Sequence, residues 1–96
     1  MNEKHLLPIG SVVLLRESNK RIMIVGRLQR QTDTEKLWDY SACYYPEGII
    51  DPTDLFLFNH EQIEATYFIG FQDFEELEFQ GLLISKYHEL RKADSV

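Results

Sequence analysis

Hydrophobic and polar positions alternate in short runs along most of this chain, and only past residue 72 does the period lengthen to that of a helix. Leu6-Leu7-Pro8 biases the chain towards extended structure, because the proline ring crowds the backbone of the residue before it. Val12-Val13-Leu14-Leu15 lies within a bulky, β-branched run from Ser11 to Glu17. The run Arg21 to Leu28 sets Ile22, Ile24 and Gly26 against Met23, Val25 and Arg27. Between them Ser18-Asn19-Lys20 is a turn signal, with Asn19 tolerant of a left-handed backbone. Two β-rich runs around a short polar turn predict a hairpin over residues 11–28.

Residues 29–36 contain no apolar side chain and read as a solvated loop. A third strand follows from Leu37 to Tyr45, with Trp38, Tyr40 and Ala42 alternating against Asp39, Ser41 and Cys43, the pattern of a strand with one buried face. Pro46-Glu47-Gly48 ends it, since proline lacks a ladder donor and glycine permits the turn. Asp51-Pro52-Thr53-Asp54 is another turn or a single helical turn. Leu55 to Phe58 is a short strand, Asn59 to Gln62 turns the chain, and Ile63 to Phe71 alternates Ile63, Ala65, Tyr67 and Ile69 against Glu64, Thr66, Phe68 and Gly70.

From Asp73 the pattern is helical. Asp73 and Glu76 have the spacing of a capping box, and Phe79, Leu82, Leu83, Tyr87 and Leu90 recur every three or four residues as one apolar stripe. Glu75, Glu76 and Glu78 crowd the start while Arg91 and Lys92 stand at the end, matching the helix dipole. Gly81 costs about 1 kcal/mol inside a helix and leaves a break there open. The chain therefore reads as one α+β domain over residues 1–96, with a sheet over about 10–71 and a C-terminal helix over about 73–92. A small antiparallel SH3-like barrel of about five strands is the preferred architecture; an open meander with the helix across one face is the alternative.

Composition narrows what such a domain does. The 96 residues carry a net charge of −6, distributed as +3 over residues 1–36 and −9 over residues 37–96. That acidity opposes general nucleic-acid binding, which relies on Lys and Arg replacing counterions along the phosphates. The hairpin cations Arg16, Lys20, Arg21, Arg27 and Arg30 support only an alternative reading, a small barrel that touches nucleic acid or a ribosome. A lone cysteine, no signal-peptide pattern and no long apolar run lead to the expectation of a cytoplasmic protein outside the membrane.

Candidate chemistry is sparse. Cys43 lies mid-strand without a cationic neighbour in sequence to activate it, and reads as an inert buried thiol. His5, His60 and His88 are too scattered for a metal site, and the five glycines are isolated, so no phosphate loop is present. The acidic run Asp73 to Glu78 reads as a charged first helical turn, whose carboxylates fan apart. No catalytic, cofactor-binding or metal-ligating residue is expected, and the chain is read as a non-enzyme. The aromatic residues say more: Trp38, Tyr40, Tyr44, Tyr45, Tyr67, Phe68 and Phe71 exceed what so small a core needs. Outward-facing rings are then expected among Tyr40, Tyr44, Tyr45 and Phe68, as anchors for another protein. The alternative is that tyrosine rings cover the core's edge with their hydroxyls in water.

Several segments, in order, resemble the family of small Firmicutes proteins known as domain of unknown function 4176. They are Leu7-Pro8-Ile9-Gly10-Ser11-Val12-Val13, Met23-Ile24-Val25-Gly26-Arg27, Asp39-Tyr40, Tyr45-Pro46-Glu47-Gly48, Phe58-Asn59-His60-Glu61-Gln62-Ile63 and Phe68-Ile69-Gly70-Phe71. The resemblance runs from Leu7 to about Phe79. The resemblance implies a setting near type VII secretion genes and Leu-x-Gly toxins, and hence an adaptor or chaperone whose partner is a secreted toxin or its targeting factors. It implies no catalytic residues.

Overall fold

The computed structural model describes residues 5–94, with side chains as far as Arg91. Five strands form, β1 (Val12–Leu15), β2 (Ile22–Arg30), β3 (Leu37–Tyr44), β4 (Phe56–Phe58) and β5 (Ile63–Phe68), followed by one helix, α1 (Phe74–Asp94). The expected hairpin is present, with Val12 opposite Met23 and Val13 opposite Ile22. Its left-handed residue, however, is Glu17 (φ 65°). Ser18 N–H bonds Leu15 O at 3.2 Å, and Lys20 N–H bonds Ser18 Oγ at 3.2 Å.

The sheet order is β4-β3-β2-β1-β5, all antiparallel. After the four-strand meander, a 3-10 turn at His60–Gln62 leads the chain back to the far side of β1. The sheet is not closed into a barrel: β4 and β5 are its two edges. The open member of the two expected architectures is the one found. At three residues, β4 offers little ladder for a closing partner.

Leu6, Val13, Ile22, Ile24, Tyr40, Ala42 and Phe58 form the core, flanked by Leu15, Phe56 and Ile63. Each large side chain so buried contributes roughly 1.5–3 kcal/mol. The expectation that β3 has one buried face is corrected, because every residue from Asp39 to Cys43 is buried. Its second face is covered too. Asp39 is met by Arg91 of α1 and by the His60 amide, Ser41 lies against Gln29, and the 48–55 loop lies beside Cys43.

Three register shifts redirect β2 and β5, at Val25, at Tyr67 and, between Ile63 and Ala65, at Glu64. In β2, Ile24 faces Ala42 but Gly26 faces Ser41, so Val25 is an extra residue and Arg27 lands opposite Tyr40. Simple alternation puts Arg27 on the side away from Ile24; the bulge returns it to the core side. In β5, Thr66 pairs with Val13 and Phe68 with Val12, leaving Tyr67 as the extra residue. The strand stops at Phe68 rather than Phe71, because Gly70 turns inward and gives its N–H to Ser11 Oγ at 2.9 Å. Conversely β2 runs on to Arg30, two residues into the expected loop.

Helix α1 continues through Gly81 without a break. Asp73 Oδ1 accepts the Glu76 N–H at 2.9 Å, which is half of the expected capping box. The Glu76 carboxylate does not complete the box; it turns to Arg27. The residues facing the sheet are Glu76, Gln80, Leu83, Ile84, Tyr87 and Arg91, whereas Phe79 and Leu82 of the expected stripe are exposed. Helix docking thus leans on polar contacts, which an apolar stripe cannot foretell. Among the described residues, no helix is long and apolar enough to cross a membrane.

Candidate protein-binding surface

On the sheet face opposite the core, antiparallel pairing sets side chains in a row: Phe68 beside Val12, Val12 beside Met23, Met23 beside Cys43. Arg21 and Tyr45 belong to the same face, two residues away from Met23 and Cys43. The β5 bulge brings Tyr67 to the same place, so consecutive residues Tyr67 and Phe68 are both exposed, at 57% and 59%. Val12, Arg21, Met23, Tyr45, Tyr67 and Phe68, with Gly10, line a depression of about 460 Å³, beneath which Cys43 stays buried. The Arg21 guanidinium lies 5.8 Å from the Tyr45 ring centre and 5.4 Å from that of Tyr67, within cation–π range of both.

The turn after β3 is held firmly. Tyr45 N–H bonds Arg21 O at 3.1 Å and Gly48 N–H bonds Tyr44 O at 2.8 Å. Lys20 Nζ lies 2.9 Å from the Glu47 carboxylate and holds its carboxyl below the usual range, with a backbone hydrogen bond assisting. Rings supported this way present contact area with little further ordering on binding, the property that makes Tyr and Phe effective anchors.

Of the four expected anchors, two come together here: Tyr45 and Phe68. Tyr44 points to the core side at the sheet's rim, packed edge-on against Phe56 with ring centres 4.9 Å apart. Tyr40 is corrected, being fully buried, with its ring 5.1 Å from Phe58. Its hydroxyl accepts the Leu7 N–H at 2.9 Å and lies 2.7 Å from His60 Nδ1. Tyr40 therefore joins the N-terminal segment, β3 and the 3-10 turn, and offers no ring to a partner. Arg21 and Met23, like Gly10 and Val12, line the depression although the sequence pattern had not assigned them to an aromatic site. Strand parity with Tyr45 is the signal that could have found them.

Among the described residues, Tyr40, His60 and the Asp39 carboxylate lie together. Asp39 binds the His60 backbone N–H rather than its ring, and Tyr40 is enclosed, so the group works as a structural tie. No set of three or more His, Cys, Asp or Glu side chains among the described residues could hold a metal ion. The hairpin cations are engaged one by one. Arg16 donates to Glu61 O, Lys20 pairs with Glu47, Arg27 with Glu76, and Arg30 donates to Glu35 O. Cys43 is a buried free thiol. It should react with a thiol reagent about 100-fold more slowly in the native protein than in urea. Folded Cys43→Ala should bind a partner as the parent does. Fast native labelling, or lost binding in that variant, counts against its inert role.

A family model described as Domain of unknown function (DUF4176) matches residues 6–79. Neither the curated proteins nor the solved structures include a match to the chain.

Proposed function

The chain belongs to the DUF4176 family, and on that premise we propose that it is a non-enzymatic cytoplasmic accessory, an adaptor or chaperone that holds a type VII secretion effector. The observation that carries the binding role is the density of exposed apolar side chains. Among the described residues, eight of the thirteen large exposed hydrophobics lie within residues 67–82, and Tyr67 and Phe68 share the Arg21–Tyr45 depression. A domain of this size does not leave such rings in water without cost, and large exposed apolar patches mark interaction surfaces. The choice of a secreted effector as partner comes from the family resemblance.

Affinity capture of the tagged chain from its native host, read by mass spectrometry, should recover an effector protein. Tyr67→Ala and Phe68→Ala, with folding checked by circular dichroism, should each weaken that complex by about 2 kcal/mol, roughly 30-fold in Kd. Tyr44→Ala, on the other side of the sheet, should change it little. Undiminished capture by the Tyr67 and Phe68 variants, or no effector among the captured proteins, would sink this reading.

A further inference from the structure

A second concavity, of about 510 Å³, lies beside the start of α1. Its apolar lining is Phe71, Phe79 and Leu82, of which Phe71 is 79% and Leu82 66% exposed. Its polar lining is entirely acidic: Asp73, Glu75, Glu76 and Glu78. Asp73 is occupied in capping the helix and Glu76 by Arg27. Glu75 and Glu78 have no cationic partner among the described residues. Glu75, Glu78 and Leu82 lie at helical spacing on the flank of α1 away from Gln80 and Leu83, which face the sheet, and Phe79 stands at the border between the two. One edge of this flank, Phe79, already lies against the Arg27 guanidinium at 5.3 Å, but the rest interleaves exposed apolar and anionic side chains, the complement of a cationic amphipathic helix.

Other occupants fit worse. A second copy of this chain would bring its own net charge of −6 to an acidic groove. A membrane surface rich in anionic lipid would repel the same carboxylates. We infer that this groove receives a basic amphipathic helix of a protein partner. Its apolar side lies over Phe71, Phe79 and Leu82, and its Lys or Arg side chains lie against Glu75 and Glu78. The inference rests on the reading of the chain as a protein-binding module, but uses a surface distinct from the Arg21–Tyr45–Tyr67–Phe68 depression.

The probe is a labelled Leu/Lys peptide of about 18 residues, five helical turns, with leucines at helical i, i+3, i+4 and i+7 spacing. A Leu/Glu peptide with the same leucines is its counterpart. Fluorescence anisotropy at about 150 mM salt, where long-range charge effects are screened, should show the Leu/Lys peptide binding at least about tenfold more tightly. The double variant Glu75→Lys/Glu78→Lys should weaken it by about tenfold or more, and Leu82→Ser should weaken it as well. The control Asp51→Lys/Asp54→Lys makes the same change in net charge on a distant loop and should leave affinity within about twofold.

Equal binding of the two peptides, or equal losses in the two double variants, overturns the inference. So does a parent protein whose mass by light scattering doubles with concentration unless Glu75 and Glu78 are reversed, since the occupant is then a second copy. Tyr67→Ala should leave peptide binding intact. Failure of the peptide with effector capture still dependent on Tyr67 and Phe68 therefore removes the groove alone. The converse result removes the effector reading alone.

Discussion

Gly70→Ala should destabilise the chain by about 3–5 kcal/mol, through overpacking together with loss of a buried hydrogen bond. A Cβ on Gly70 would sit 2.0 Å from the Ile9 carbonyl oxygen, 2.9 Å from its carbon and 3.2 Å from Ser11 N. All three atoms are backbone, so no side chain can swing aside. Nor is that segment free to retreat: Gly10 N–H bonds Ile24 O at 2.9 Å, and Ile24 N–H bonds Ser11 O at 2.8 Å. Gly10 itself holds φ 93°, a conformation that favours glycine, so the bend of the segment is set as well. The inserted methyl must therefore break the Gly70–Ser11 bond or push the end of β5 away from β1. A domain of this length has only about 5–14 kcal/mol in total, so a loss of this size approaches unfolding. Ser11→Ala, which keeps the space but deprives the buried Gly70 N–H and Pro8 O of the same hydroxyl, should cost about 1–3 kcal/mol. Urea midpoints for the two variants and the parent check both figures. A Gly70→Ala protein within about 1 kcal/mol of the parent would show that the close approach is not needed.

Arg27→Met should cost about 3 kcal/mol or more at neutral pH. Arg27 meets Glu76 in a two-pronged contact, Nη1 to Oε2 at 2.6 Å and Nη2 to Oε1 at 3.0 Å. The two side chains are only 5% and 12% exposed. The guanidinium also lies 5.3 Å from the Phe79 ring centre, and Nη1 donates to Leu7 O at 3.4 Å. Methionine fills much of the space but leaves the Glu76 carboxylate enclosed with Gln80 as its remaining donor. The same pair sets a pH dependence. Hydrogen bonding to Arg27, opposed by burial and aided by Gln80, lowers the Glu76 carboxyl below its ordinary value of 4.5. A depressed carboxylate contributes stability in full above its unfolded value and loses it as pH falls through the folded one. The parent should thus weaken below about pH 4.5, on ordinary carboxylate values. The deficit of Arg27→Met should narrow over the same window, because a protonated Glu76 no longer needs the cation. Denaturant titrations at pH 7 and pH 3.5 measure the narrowing; a deficit constant across that range would mean the pair carries no charge-dependent stability.

Local pattern accounts for most of the elements. The hairpin formed because two β-branched runs flank a polar turn, and α1 began at Asp73 because its carboxylate can satisfy an otherwise orphaned amide. Alternation also placed Phe68 in a strand with one open face, and Tyr45, expected as the last residue of β3, follows that strand directly on the same face. It failed where a strand gains a residue. The extra residues Val25 and Tyr67 reverse parity, returning Arg27 to the core side and exposing Tyr67 beside Phe68. Tyr40 was misjudged for a related reason: alternation divides a strand into two faces without saying what covers either.

What the sequence determined by itself was the set of elements and their class, α+β with a C-terminal helix, because periodicity and caps depend on residues a few places apart. The tertiary structure alone decided that the sheet stays open, that Tyr40 is enclosed, and which side of α1 docks. Apolar residues occur all round that helix, so its orientation rests on Glu76 reaching Arg27 and Arg91 reaching Asp39, contacts spanning 49 and 52 residues of chain. Gly70 likewise meets Ser11 across 59 residues. Such partners are neighbours only once the chain has folded, and no local pattern along the sequence records them.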